Sequence, residues 1–279
     1  MDARIFIAVA FGLVAVAFGG FYFALSSRSH DPLAPSAPAI SASSAKPAPA
    51  AAPQPEQAKP AQATPESIEA EIARSDHADL QAILKKNFAD DYRELIKVAV
   101  QRRNEGLSDQ AFGQELFNRF QEIMRTRLRF AAGASTAMID RLAANEVALF
   151  HALGHEGAGY CLKVLGKDET PADSPPPESV RRMMRLGTLF RFQAIVEGMA
   201  TQRTVDALTA DEMGAFEASL SRDGLRFEEV RTGAFLTKDG NEAGKPCQMI
   251  EKLYQAIARL PEAPRRKIYA GMFFLGRDR

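Results

Sequence analysis

The chain has 279 residues with 35 basic and 35 acidic side chains, and 46% of its residues are hydrophobic. This composition is too apolar and too neutral for a wholly disordered protein. The part of the chain beyond residue 65 is also close to neutral, so its overall charge gives no reason to expect a nucleic-acid partner.

Residues 5–25 form an apolar segment of 21 residues without a charged side chain. As a helix this segment would be about 31 Å long, close to the thickness of the hydrocarbon core of a bilayer. We therefore predict a short tail at residues 1–4 and a single transmembrane helix at residues 5–25 in the inner (cytoplasmic) membrane. The alternative is a cleaved signal peptide with small residues at Ala24 and Ser26, but the segment exceeds the roughly 7–15 apolar residues of a usual signal peptide.

The charges that flank this segment are nearly balanced, with Arg4 before it and Arg28 after it. A short tail followed by a charge-poor linker is typical of a signal anchor, which leaves the C-terminal part of the chain outside the cytoplasm. We expect a periplasmic location for that part if the source is a bacterium. The alternative hypothesis is the reverse topology, in which the C-terminal part faces the cytoplasm as a membrane-tethered adaptor.

A linker rich in proline and alanine follows at residues 26–64. Alanine and proline account for 21 of the 35 residues from 31 to 65, and large apolar side chains are almost lacking there. Such a segment cannot form a hydrophobic core, and its prolines favour an extended polyproline II conformation. We predict a flexible tether that lets the rest of the chain move above the membrane.

Residues 65–279 are predicted to form one all-α globular domain of seven to nine helices. Thr64, Ser108, Ser135 and Thr209 each stand where an N-cap residue would begin a helix. Prolines mark further helix starts at positions 177, 246 and 264, and the last helix is expected to end near Gly276.

Apolar residues recur at helical spacing through this part of the chain. The clearest stripe comprises Phe112, Leu116, Phe120, Ile123, Met124 and Leu128. Strand character is weak and is limited to residues 225–230 and 233–237, which are short and do not alternate between polar and apolar side chains.

The segment HALGHEGAGYC, from His151 to Cys161, contains two histidines four residues apart and the adjacent Glu156. Residues four apart share one face of a helix, so His151, His155 and Glu156 are a candidate site for a divalent metal such as zinc. The segment matches neither H-E-x-x-H nor H-x-x-E-H, the patterns of two zinc-protease families.

A structural interpretation explains more features of the same segment. The helix that begins at Ser135 would end near His155, and the following glycines would supply a turn. Cys161 and Cys247 are the only two cysteines, and in an exported chain they would form a disulfide. The alternative for the pair is two buried free thiols.

The segment from 179 to 200 is apolar on nearly every face, which predicts a central helix interrupted by Arg185, Arg191 and Glu197. Because a buried charge is costly without a partner, each of these side chains should be paired or should line a cleft. Structural ion pairs are the favoured interpretation, and a binding cleft is the alternative.

These features predict a single-pass envelope protein that presents an all-α, disulfide-bonded interaction or scaffold domain on a tether. In this hypothesis the protein performs no catalysis, needs no cofactor, and binds another envelope protein or the cell wall. The alternative is an envelope hydrolase, either metal-dependent through His151 and His155 or a wall-cleaving enzyme with one catalytic glutamate.

Overall fold

The computed structural model describes residues 62–156, 158–165, 176–201, 203–234 and 244–272, and within these ranges it contains eleven α-helices and no strand. The predicted tail at 1–4, the membrane helix at 5–25 and the linker as far as residue 61 lie outside the described residues. None of the described helices has both the length and the apolar character needed to cross a membrane.

The all-α prediction is confirmed for the described residues. In chain order the helices are α1 (Pro65–Ala73), α2 (Ala78–Asn87), α3 (Ala89–Asn104), α4 (Asp109–Ala131), α5 (Thr136–His155), α6 (Ala158–Val164), α7 (Glu178–Thr201), α8 (Ala210–Arg222), α9 (Phe227–Thr232), α10 (Lys245–Ala258) and α11 (Glu262–Ala270).

The predicted helix starts are confirmed at all four capping residues. Thr64 and Thr209 each form a capping box, in which the cap side chain accepts a hydrogen bond from a backbone N–H of the first turn and its own N–H is bonded in return. Ser108 and Ser135 accept hydrogen bonds from the backbone N–H of the residue three positions later. The proline-marked helices begin at Glu178, Lys245 and Glu262, within two residues of the expected positions.

The predicted number of helices was too low, because the sequence did not indicate α2, α6 and α9. The shorter two, α6 and α9, have 7 and 6 residues, so neither shows two full turns of apolar periodicity. Residues 227–232 are helical rather than extended, and the C-cap of α9 is Gly233, whose φ of 73° is left-handed. The second segment with weak strand character and the predicted end of the last helix near Gly276 fall mostly or wholly outside the described residues.

Two long helices, α5 and α7, form the centre of the fold. Helix α7 packs against α5, α4 and α2, which confirms its predicted central position, and α5 also contacts α10 and α11. The helices α4 and α7 approach so closely that a Cβ added at Gly198 would lie 1.8 Å from the carbonyl oxygen of Phe130. All six residues of the predicted stripe on α4 are buried in the hydrophobic core.

Candidate functional site

The two histidines of the candidate site lie on the last part of α5 and face solvent. Their side chains remain 58% exposed at His151 and 52% exposed at His155. Because they are four residues apart on one helix, the imidazole rings stand next to each other, with their centroids 4.6 Å apart. The helix ends at His155, as the sequence predicted.

Glu251 of α10 is the carboxylate that lies beside these histidines. Its Oε1 is 3.1 Å from Nδ1 of His151, and its Oε2 is 3.9 Å from Nε2 of His155. Only 13% of the Glu251 side chain is exposed, and Gln255 Nε2 donates a hydrogen bond of 2.8 Å to Oε1. A largely buried carboxylate therefore lies against two more accessible imidazoles.

The disulfide between Cys161 and Cys247 joins α10 to α6, the short helix that follows α5 in the chain. This predicted bond is confirmed, and no described cysteine is free. Cys247 stands four residues before Glu251 on α10, so the disulfide fixes the helix one turn from the carboxylate. Both cysteines are completely buried.

Gly154 permits the close approach of α5 and α10. A Cβ added at this position would lie 2.8 Å from Cγ of Gln248, and Gln248 Nε2 donates a 3.0 Å hydrogen bond to the Gly154 carbonyl oxygen. A polar contact thus joins α10 directly to α5 within one turn of both histidines, and the disulfide joins α10 to the neighbouring α6.

Two imidazoles and one carboxylate are a donor set that can hold a divalent transition-metal ion. One ligand atom from each of His151, His155 and Glu251 can be chosen so that all three lie within 4.8 Å of one another. The sequence-based candidate Glu156 lies at the C-cap of α5 and accepts a 2.6 Å hydrogen bond from Ser179 Oγ.

Sequence reasoning missed Glu251 because it lies 100 residues from His151. The predicted disulfide nevertheless indicated that residues near Cys247, including Glu251, lie close to the histidines. A Cys161–Cys247 bond brings the start of α10 to the end of α5, and a helix through Cys247 then places residue 251 one turn farther along.

The three charges of the predicted cleft on α7 have separate partners and do not form one site. Arg185 pairs with Asp76 and, at 3.3 Å, with Glu178. Arg191 pairs with the buried Glu146 at 2.6 Å. The Glu197 carboxylate accepts a 3.1 Å hydrogen bond from the backbone N–H of Ser135, the N-cap of α5.

Arg185 also lines a cleft of about 300 Å³ between α2, α4 and α7. The half-buried His77 lies in the same cleft, and burial lowers the pKa of its imidazole. Only Arg185 of the three predicted residues lines this cleft.

Comparison with known protein families, with curated proteins and with solved structures gives no significant match.

Proposed function

We propose that this chain is a membrane-tethered protein of the cell envelope whose helical body binds a partner in the periplasm and performs no catalysis. The partner is another envelope protein or the cell wall. The buried disulfide between Cys161 and Cys247 supports the location, and a groove between α3 and α4 supports the binding of a partner.

Disulfides form and persist in oxidising compartments and are rare in the cytosol. Both cysteines of this bond are fully buried, so their Sγ atoms are shielded from reductants in solution. The bond supports a location of the helical body beyond the membrane. It agrees with the apolar segment at residues 5–25, which would serve as a signal anchor, and with the tether that follows.

The groove between α3 and α4 is the surface that we assign to the partner. It encloses about 540 Å³, and its apolar lining comprises Leu95, Val98, Ile123 and Phe130. Charged residues of both signs surround this lining, namely Asp91, Glu94, Arg119, Glu122, Arg127 and Arg129. An apolar centre with a mixed charged rim is typical of protein interfaces, which favours a protein partner over a uniformly anionic polymer.

The location is tested first, in the native cells. Thiols are alkylated before lysis, and peptides are read by mass spectrometry with and without reduction. A linked Cys161–Cys247 peptide, together with activity of an alkaline phosphatase fused to the C-terminus, is the expected result. Two alkylated cysteines and an inactive fusion would contradict the proposal and favour the cytoplasm-facing adaptor.

The binding surface is tested by photo-crosslinking in cells. A photoreactive amino acid replaces the partly buried Val98 in the groove, and the matched control replaces the exposed Glu217 on α8. We expect a discrete adduct from position 98 that is absent from position 217. Identical adducts at both positions, or none at position 98, would refute the assignment of the groove, and the mass of a specific adduct distinguishes a protein from wall material.

A further inference from the structure

We propose that His151, His155 and Glu251 bind one divalent transition-metal ion of the zinc class. The proposal concerns metal binding at the junction of α5 and α10 and is independent of the groove between α3 and α4. It assigns the third ligand to α10, 96 to 100 residues away from the histidines in sequence.

The donor atoms already converge without an ion. Donors that bind tetrahedral zinc at 2.0–2.2 Å lie about 3.3 Å from one another. His151 lies 3.1 Å from Oε1 of Glu251 and His155 lies 3.9 Å from Oε2, and one ligand atom from each of the three residues can be chosen so that all lie within 4.8 Å of one another. The widest separation has to close by at most about 1.5 Å, which rotation of two half-exposed imidazoles can supply.

Residues outside the three ligands hold these ligands in place, as they do in known metal sites. Gln255 donates a hydrogen bond to Oε1 of Glu251 and so orients the carboxylate, as partners outside the ligand set commonly do. The Gln248–Gly154 hydrogen bond joins α10 to α5, and the disulfide at Cys247 joins α10 to α6, which follows α5 directly. Little backbone rearrangement is therefore needed for binding.

The chemistry of the donors selects the class of ion. Imidazole nitrogens bind zinc, copper and nickel well, whereas calcium and magnesium prefer sets made of oxygen atoms. Three protein ligands leave at least one coordination position, and the exposure of both histidines opens that position to solvent. Water or a donor group from a bound molecule would complete the coordination.

The first experiment measures binding of Zn²⁺ alone to the oxidised full chain, purified in detergent with a tag that lacks histidine. Isothermal titration calorimetry gives the affinity, and elemental analysis gives the stoichiometry. We expect one ion per chain and an increase in the melting temperature, because the ion binds the folded state. Failure to bind Zn²⁺ would overturn the proposal.

Matched variants identify the ligands. His151→Ala, His155→Ala and Glu251→Gln are each expected to weaken Zn²⁺ binding at least about tenfold, since even indirect partners of a metal commonly contribute that much. Glu156→Gln is the control, because Glu156 is next to His155 in sequence but accepts a hydrogen bond from Ser179. Equal losses in Glu156→Gln and Glu251→Gln, or unchanged affinity in Glu251→Gln, would overturn the assignment.

A second measurement needs no variant and so does not depend on variant folding. Diethyl pyrocarbonate modifies accessible histidines, and mass spectrometry locates each modified residue. Zn²⁺ should protect His151 and His155 and leave the modification of His30 and His77 unchanged. Equal modification of His151 and His155 with and without Zn²⁺ would refute the site even if the chain binds zinc elsewhere.

Discussion

Helix α5 packs against α7 along one side and against α10 along another, and the two interfaces are built from different interactions. Towards α7, the Glu146 carboxylate pairs with Arg191 at 2.6 Å, and their side chains are only 2% and 11% exposed. Towards α10, Phe150 stacks on Tyr254 with ring centroids 5.7 Å apart, and Gln248 donates a hydrogen bond to the Gly154 carbonyl oxygen.

The α5–α7 interface contains enclosed charges that contribute to stability, whereas the α5–α10 interface ends in polar side chains that solvent can reach. The charges in the α5–α7 interface are enclosed, so removing the Glu146 carboxylate takes a buried charge partner away from Arg191. The polar groups at the end of the α5–α10 interface are His151, His155 and Glu251, and both histidines are open to solvent. Either histidine can be replaced at little cost in folding free energy, because both are exposed, and exposed donor groups of this kind suit a ligand site.

Removing the disulfide should give the largest loss of stability at the α10 side. The bond joins residues 86 apart in sequence, and closure of such a loop contributes about 4–5 kcal/mol in the chain-entropy description. We expect the Cys161→Ala/Cys247→Ala chain to lose about this much free energy of unfolding, measured with urea. A reductant reaches the buried bond when the chain unfolds, so its presence should lower the urea concentration at which the native chain unfolds and leave the double variant unaffected. A loss below about 1 kcal/mol would show that the bond constrains little.

Breaking the enclosed pair should give a comparable or slightly smaller loss at the α7 side. Glu146→Gln removes the carboxylate that pairs with Arg191, and breaking a buried pair in this way costs about 3–5 kcal/mol. The control is Glu94→Gln, since Glu94 pairs with Lys97 in a largely exposed ion pair and its loss should change stability little. If both variants unfold at the same urea concentration, the buried pair is not important for stability.

Adding a methyl group at the close contact between α5 and α10 should have an intermediate effect on stability. Gly154→Ala places a Cβ 2.8 Å from Gln248, so this side chain must move and its bond to residue 154 is strained. We expect a loss of about 1–3 kcal/mol in the free energy of unfolding. Gly159→Ala is the control, because a Cβ there meets no atom within 4 Å, and no loss is expected. Equal stability of the two alanine variants would contradict the close approach.

The smallest effect is expected at Tyr269, which stacks on Tyr254 and donates a 3.0 Å hydrogen bond to its carbonyl oxygen. Tyr269→Phe removes this bond and should cost about 1 kcal/mol near neutral pH. Burial also raises the pKa of the Tyr269 phenol above its ordinary value of 10.0.

The raised pKa gives this variant a distinct pH dependence. The phenol ionises near pH 10 in the unfolded chain but stays protonated in the folded chain, so its stabilising contribution is complete below pH 10 and is lost as the pH rises further. The difference in unfolding free energy between the native chain and Tyr269→Phe should therefore shrink as the pH rises from about 10 to about 12. A constant difference over this range would contradict the raised pKa.

The sequence alone was sufficient where a local interaction defines the structure. Ser135 could be identified as an N-cap because its hydroxyl bonds to a backbone N–H three residues later, within the same turn. The stripe on α4 could be identified as core because the period of a helix is fixed at 3.6 residues. The disulfide could be predicted because only two cysteines were available to pair.

Only the tertiary structure decided which distant groups meet. The sequence offered Glu156 as the carboxylate beside the histidines, but α5 ends there and its C-cap residue bonds instead to Ser179 on α7. Glu251 takes that place because packing sets the angle and distance between α5 and α10, and these depend on Gly154, Gln248 and the disulfide acting together. Local sequence fixes which residues are helical and which face is apolar, whereas the relative placement of two faces depends on contacts between residues about 100 positions apart.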